Sequence, residues 1–459
     1  MKYATRESRA TCTELAAPLT VSEILQPAEP TAAVLPHPNR SVRMRLLPLL
    51  LAATVCAAPL AHAQGAASVS VSAAAGFDPD RLARIDRWVQ QQVADGKIPG
   101  AVVMIVRDGG VAYHQAFGVR DVATKAPQRR DDIFRIASQT KAITSTAVMM
   151  LWEEGRFGLD DPIGKYIPAF KDQTILTKFN PADSSYESKP TRRHITIRQL
   201  LTHTSGLDYA GIGSDEFKAI YAKAGIYAIG SEGLVLATSI DKLGALPLKN
   251  EPGERFTYSL SVDVLGRLVE VVSGMPLDQF FATRIFAPLG MRDTYFAIPP
   301  AKRDRLSSLH NMKDGHLVAV HEMQGVLHSD FPARPVTYFA GGAGLASTTA
   351  DYARFLQMVM NHGELNGTRL LGRKTVEMML TNQIGALRPA FGLGFELEIP
   401  ETDYRTPLSI GSFSWSGAFN TWYWADPKER LIGLIFTNTL GETTSLGDPF
   451  KALVYSALK

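Results

Sequence analysis

Runs with strand character stand near both ends of the chain, and helical spacing fills the middle. Ala101 to Val106 is an apolar, β-rich run. The turn Asp108-Gly109-Gly110 and a second run, Val111 to Phe117, follow it, so the pair reads as a hairpin. At the other end Leu393–Ile399, Leu408–Trp415, Thr421–Trp424 and Leu431–Asn438 read as strands. Helices bracket both groups. Residues 77–96 open on Asp and Pro, carry Leu82, Ile85, Val89 and Val93 at helical spacing, and stop at Gly96; a last helix is expected over Asp448–Leu458. Between them lie helices over Val262–Ser273 and Asp351–His362. Residues 160–250 read as helices with long loops, Thr174 to Arg193 being polar and irregular. This order predicts an α+β chain: one sheet built from the N- and C-terminal parts, with a helical region inserted. The expected division joins 77–135 to 331–459 as the sheet domain and leaves 136–330 as a mainly helical domain. With 45% apolar residues in 459, the chain has material for a large core.

Residues 44–63, MRLLPLLLAATVCAAPLAHA, place Arg45 before an apolar stretch that ends in Ala61-His62-Ala63, a small-x-small cleavage pattern. The stretch is short and Pro-interrupted against the roughly 20 residues a membrane span needs. It is expected to be a secretory signal, preceded by an N-terminal extension and cleaved before Gln64, with a periplasmic or secreted product. A signal so far from residue 1 adds the expectation that translation starts at Met44. Cys12 and Cys56 both precede the cleavage site, so the exported protein would have no disulfide, thiol nucleophile or thiolate metal site. After residue 63, 42 basic residues face 41 acidic ones, and nothing in that balance points to nucleic acid.

The chemistry is concentrated in three stretches. Ser-x-x-Lys occurs at Ser138–Lys141, Ser239–Lys242 and Ser456–Lys459, but only the first opens a long helix. That helix is read as amphipathic, running through Ile143, Val148, Met149 and Leu151 to Gly155, just past a strand ending at Asp132. On a helix Ser138 and Lys141 share a face. A Ser hydroxyl needs a neighbouring base, and a helix start offers positive potential and free N–H groups. Asp241 would keep Lys242 charged, and Lys459 is the last residue. The second stretch is Tyr258-Ser259-Leu260, where a phenol can relay a proton. The third is Trp415-Ser416-Gly417-Ala418, where Gly417 admits a close backbone approach and the next N–H can donate to an oxyanion.

Taken singly, each has an ordinary explanation: a helix-start Ser with a surface Lys, a packed Tyr, a strand-edge Gly. Competing motifs are thinner. No Gly-x-Ser-x-Gly occurs, and His321-Glu322 lacks the second His of a zinc helix. Gly341–Gly344 lacks the Lys-Ser/Thr of a phosphate loop and reads as a strand or loop kink. His203, beside Thr204-Ser205-Gly206, reads as a structural turn. Residues 303–340, a long stretch with Pro332 and Pro335, raise the hypothesis of a lid.

The three stretches stand in the order and spacing of the serine β-lactamase and penicillin-binding protein superfamily. The connecting text also resembles it, in Leu200 to Leu207 (LLTHTSGL), Pro252 to Phe256 and Gly344 to Thr348, so the likeness covers roughly 77–459. Within that superfamily the sequence most resembles the family VIII carboxylesterases, relatives of class C β-lactamases. Leu260 stands where class C enzymes have the Asn of Tyr-x-Asn, and Trp415-Ser416-Gly417 stands where they have Lys-Thr-Gly. Losing that Asn and Lys leaves a more apolar site, suited to neutral esters.

The resemblance implies a serine β-lactamase-like fold, an antiparallel sheet flanked by helices with an inserted all-helical domain. It implies an acyl-enzyme on Ser138, general-base and relay duty shared by Lys141 and Tyr258, and an oxyanion hole from the N–H groups of Ser138 and Ala418. Leu260, Trp415, Ser416 and Gly417 would line the substrate site. The partner would be a small-molecule ester, with no metal or organic cofactor. A β-lactamase, a D-alanyl-D-alanine peptidase, and an acyltransferase or amidase are the alternatives of the same class. A non-catalytic penicillin-binding-like module is the alternative of a different class.

Overall fold

The computed structural model describes residues 76–229, 233–320, 330–441 and 444–459. The expected extension and signal at 1–63, both cysteines, and His321-Glu322 lie outside those residues.

Six strands form one antiparallel sheet: β1 (Gly100–Arg107), β2 (Gly110–Gly118), β3 (Glu396–Leu397), β4 (Phe413–Gly417), β5 (Thr421–Asp426) and β6 (Leu431–Phe436), in the spatial order β3-β4-β5-β6-β1-β2. The two ends of the chain meet at its centre, where β1 pairs with β6 from Val102↔Phe436 to Arg107↔Leu431. β1 is buried along nearly its whole length, as its unbroken apolar run requires, because both sheet faces are covered. On one face lie α1 (Pro79–Ala94) and the last helix, whose Ile85, Val89, Phe450 and Val454 pack with Ile105, Trp424 and Ile435. On the other face lie α2 (Thr140–Glu153), α3 (Ser261–Ser273) and α4 (Thr349–Met360), inside a larger core that includes Ile143, Leu265, Phe355 and Phe436. The last helix, α5, spans Gly447–Ser456. Among the described residues no helix is long and apolar enough to cross a membrane.

Several local expectations change. α2 is not amphipathic: Thr140 to Leu151 are all buried. Two of its threonines enter the core by donating to carbonyls, Thr144 Oγ1 to Gly341 O at 2.6 Å and Thr146 Oγ1 to Ala142 O at 2.9 Å. The strand expected to end at Asp132 is instead Phe134–Arg135, and Asp132 is a turn carboxylate that accepts from Gln128 and Arg129. Thr174 to Arg193 is not irregular. Thr174–Asn180 pairs with Ser185–Pro190, and because the second strand is exposed at every residue it carries no apolar alternation to read. Within 303–340, His310–Lys313 and His316–Ala319 form a hairpin about Asp314-Gly315, both at positive φ. The strand expected over Leu393–Ile399 shrinks to Glu396–Leu397, because Gly394 adopts φ +97°.

Candidate active site

A tight turn delivers Ser138. Phe134–Arg135 pairs with Ala346–Ser347, and Ile136 N–H donates to Leu345 O at 3.0 Å. Ala137 then takes φ +42°, a costly conformation for a residue with a Cβ. Ala137–Gln139 make a 3-10 turn, and α2 starts at Thr140 rather than at Ser138. Of the three turn residues only Ser138 is partly exposed.

One phenol hydroxyl and one amine converge on it. Tyr258 Oη donates to Ser138 Oγ at 2.6 Å, and Lys141 Nζ donates to the same oxygen at 3.3 Å. Lys141 Nζ also donates to Tyr209 Oη at 3.3 Å and to the Gly342 carbonyl at 2.7 Å. An ammonium has three N–H groups, and these are three acceptors. Nζ stands 4.6 Å from the Tyr258 ring centre and 5.2 Å from that of Tyr209; the two rings stack 5.2 Å apart. Burial raises the Tyr209 phenol well above its ordinary range, with the neighbouring Tyr258 adding to the shift.

The Tyr258 segment is braced from behind. The His203 ring packs 4.8 Å from Tyr258, and its Nδ1 accepts the N–H of Ser259 at 3.2 Å. Burial, with the Lys141 charge beside it, holds His203 neutral. Its turn, at φ +53°, therefore also forms part of the site wall. Asp208 joins the two tyrosine segments: its carbonyl accepts Leu260 N–H at 3.2 Å, and its Oδ1 accepts Tyr209 N–H at 2.9 Å.

The third stretch closes the other side. Trp415 packs 5.5 Å from Tyr258 and 5.4 Å from Phe391. Gly417 is required by a close approach, since a Cβ there would stand 2.4 Å from Ile136 O. It brings the end of β4 against the Ser138 turn, and Ala418, itself exposed, opens the turn that follows. Ser416 lies opposite Trp422, whereas Trp415 lies opposite Tyr423, so the two side chains face opposite sides of the sheet. A cavity of about 580 Å³ includes Trp415 and Ser416 but none of Ser138, Lys141 or Tyr258. Leu260 departs from expectation. It is 1% exposed, precedes α3 and packs in the main core, so it does not line an open pocket.

The other two Ser-x-x-Lys tetrads gain no comparable setting. Ser239 is buried on its helix while Lys242 is exposed, and Ser456 Oγ bonds to Leu453 O. Tyr209, Asp208 and the Gly342 carbonyl were not foreseen from the sequence. Tyr209 stands two residues past the LLTHTSGL stretch, and only that proximity hinted at it. Among the described residues no group of three or more His, Cys, Asp or Glu is placed to hold a metal ion.

Comparison with known proteins now bears on this arrangement. The profile of the Beta-lactamase family matches residues 85–455. The chain belongs to the beta-lactamase family. Protein Rv1367c of Mycobacterium tuberculosis is 33% identical over 360 residues, covering 74% of this chain and 86% of that protein. Esterase EstB of Burkholderia gladioli is 31% identical over 379 residues, covering 79% and 92%. The solved structure of EstCE1, titled a hydrolase with promiscuous acyltransferase activity, matches with a TM-score of 0.70 at 28% identity, over 82% of this chain and 99% of that one. This beta-lactamase-family chain is a family VIII esterase-like member of the serine β-lactamase and penicillin-binding protein superfamily, with the hydrolase fold of that group.

Proposed function

We propose that the protein is a serine carboxylesterase that cleaves short-chain esters through an acyl-enzyme on Ser138. The observation that carries this is the convergence of Tyr258 Oη and Lys141 Nζ on one partly exposed serine oxygen. One member of the Tyr258–Lys141 pair must first give up a proton to solvent; Ser138 Oγ then attacks the ester carbonyl, and its proton passes to that deprotonated group. The N–H groups of Ser138 and Ala418 receive the oxyanion, at the turn that Gly417 brings close. The proton returns to the departing alcohol, and water then hydrolyses the acyl-enzyme. Trp415, against Tyr258, gives the site an apolar wall where a lactam's carboxylate would need a cation. Similarity to EstB supports the ester substrate.

The test uses the Gln64–Lys459 protein with p-nitrophenyl butyrate beside a chromogenic cephalosporin, and Ser138→Ala as control. Ester turnover lost in the variant, with the acyl group found on Ser138 by mass spectrometry, is the expected result. Rapid cephalosporin opening would move the substrate to lactams. A second reading is acyl transfer to an alcohol other than water, favoured by the likeness to EstCE1. Adding a primary alcohol and measuring the new ester against free acid separates the two. Export through the 44–63 signal belongs to the same proposal, and the N-terminus of the mature protein tests it.

A further inference from the structure

Beside Lys141 lies a carboxylate to which this reaction scheme gives no task. Asp263 is in the first turn of α3 and fully buried. Its Oδ1 accepts the N–H of Gly342 at 3.1 Å, and the Gly342 carbonyl accepts Lys141 Nζ at 2.7 Å. Its Oδ2 has no hydrogen-bond partner. The contact is tight as well as polar, since a Cβ on Gly342 would stand 2.5 Å from Oδ2. Three titratable groups feel this carboxylate from the elements around it: Lys141 on α2, Tyr209 in the loop after His203, and Tyr338 ahead of the Gly341-Gly342 turn. Burial keeps the two phenols protonated, so Lys141 is the one group of the three that can set a positive charge against the carboxylate.

An asparagine would keep the hydrogen bond to Gly342 without burying a charge, and a buried charge is costly unless something faces it. What the aspartate adds is a negative charge near the ammonium. We propose that Asp263 is a positioning residue for Lys141: through Gly342 it fixes where the ammonium stands against Ser138, and its charge balances that ammonium in the closed interior. This rests on the serine-hydrolase reading given above. Burial pushes the Asp263 carboxyl up to about 6, with Lys141 and the Gly342 N–H pulling the other way. The charge is therefore present at neutral pH and lost on mild acidification.

The test compares wild type, Asp263→Asn, Gly342→Ala and the double variant. Ester kinetics are measured from about pH 5 to 9, with the rate of Ser138 labelling by a fluorophosphonate and a thermal melt at about pH 8. Asp263→Asn should melt no lower than wild type while kcat falls roughly 10- to 100-fold with KM within about threefold, because it keeps the Gly342 hydrogen bond but loses the charge that faces Lys141. Labelling should slow by a similar factor, and an acid limb near pH 6 in wild-type kcat/KM should be absent from the variant. Gly342→Ala should act the same way, and the double variant should be no worse than the worse single one.

A variant kcat within about twofold of wild type, a lost melt at pH 8, or additive effects would overturn the proposal. If Asp263→Asn does not fold, that counts against it, and Gly342→Ala with unchanged labelling would complete the refutation. The labelling arm keeps the two readings apart. A wild type that labels but cleaves no ester loses its substrate assignment, while the labelling ratio still judges Asp263. A wild type that does not label defeats both.

Discussion

Replacing Asp263 by Asn should make the protein more stable at about pH 8 than the wild type, and progressively less so on acidification. The carboxyl titrates near 3.8 in the unfolded chain and at about 6 in the folded one. Between those values the native state holds a proton that the unfolded state has released, so stability falls as pH rises through that window. The contribution is fully present below the lower value and lost above the upper one. A gap of about two pH units, at about 1.4 kcal/mol each, amounts to roughly 3 kcal/mol. Asn removes that penalty but leaves an amide N–H without an acceptor, which offsets on the order of 1 kcal/mol. With roughly 370 described residues at about 2.1 cal/mol/K each, unfolding entropy is about 0.8 kcal/mol/K. The variant's Tm should therefore lie about 2–4 °C above that of wild type at pH 8. At about pH 4.5 only about a third of the 3 kcal/mol applies, and the difference should shrink accordingly. Differential scanning calorimetry at several pH values reads both numbers. A variant that melts lower at pH 8, or a difference independent of pH, would refute the claim that the buried charge is what this site costs.

Three further outcomes follow from the site. Tyr258→Phe removes the hydroxyl 2.6 Å from Ser138 Oγ; kcat for p-nitrophenyl butyrate should fall by about 10²–10⁴, with the circular dichroism spectrum unchanged. Leu260→Ala should cost about 2–5 kcal/mol in urea denaturation, as for a core leucine, with the preference between butyrate and octanoate esters unaltered. Gly417→Ala forces β4 away from Ile136 O and should lower kcat by about 10²-fold, measured beside a thermal melt that shows the fold retained.

The parts of this molecule that were legible in the sequence are those whose burial writes a pattern. β1 and β6 are apolar runs covered on both faces, and α1 shows one apolar stripe because one side of it meets the sheet. The hairpin at Thr174–Pro190 has an exposed second strand, so its residues are free of that constraint and left no mark. α2 shows in the sequence, but its threonines read as a polar face, since a sequence does not show that Thr144 and Thr146 bond to carbonyls. In the site, Ser138 and Lys141 are linked by helical spacing. Tyr209, Gly342 and Asp263 reach Lys141 only through contacts between distant segments, and none has a local signature. The resemblance puts Leu260 in the pocket, at the Asn position of Tyr-x-Asn, yet the start of α3 turns it into the core.

The pairing of β1 with β6 has a consequence for the order of events in synthesis. Val102 finds Phe436 only about 330 residues later, so this sheet has high contact order. At about 5–20 residues per second, a ribosome needs on the order of 15–60 s to supply the missing strand. Throughout that time β1, apolar on both faces, has only its hairpin partner β2 on one edge. A chain cut short anywhere before Leu431 never completes the centre of its sheet. It should appear in cells as aggregate or as a chaperone client, however intact its Ser138 segment.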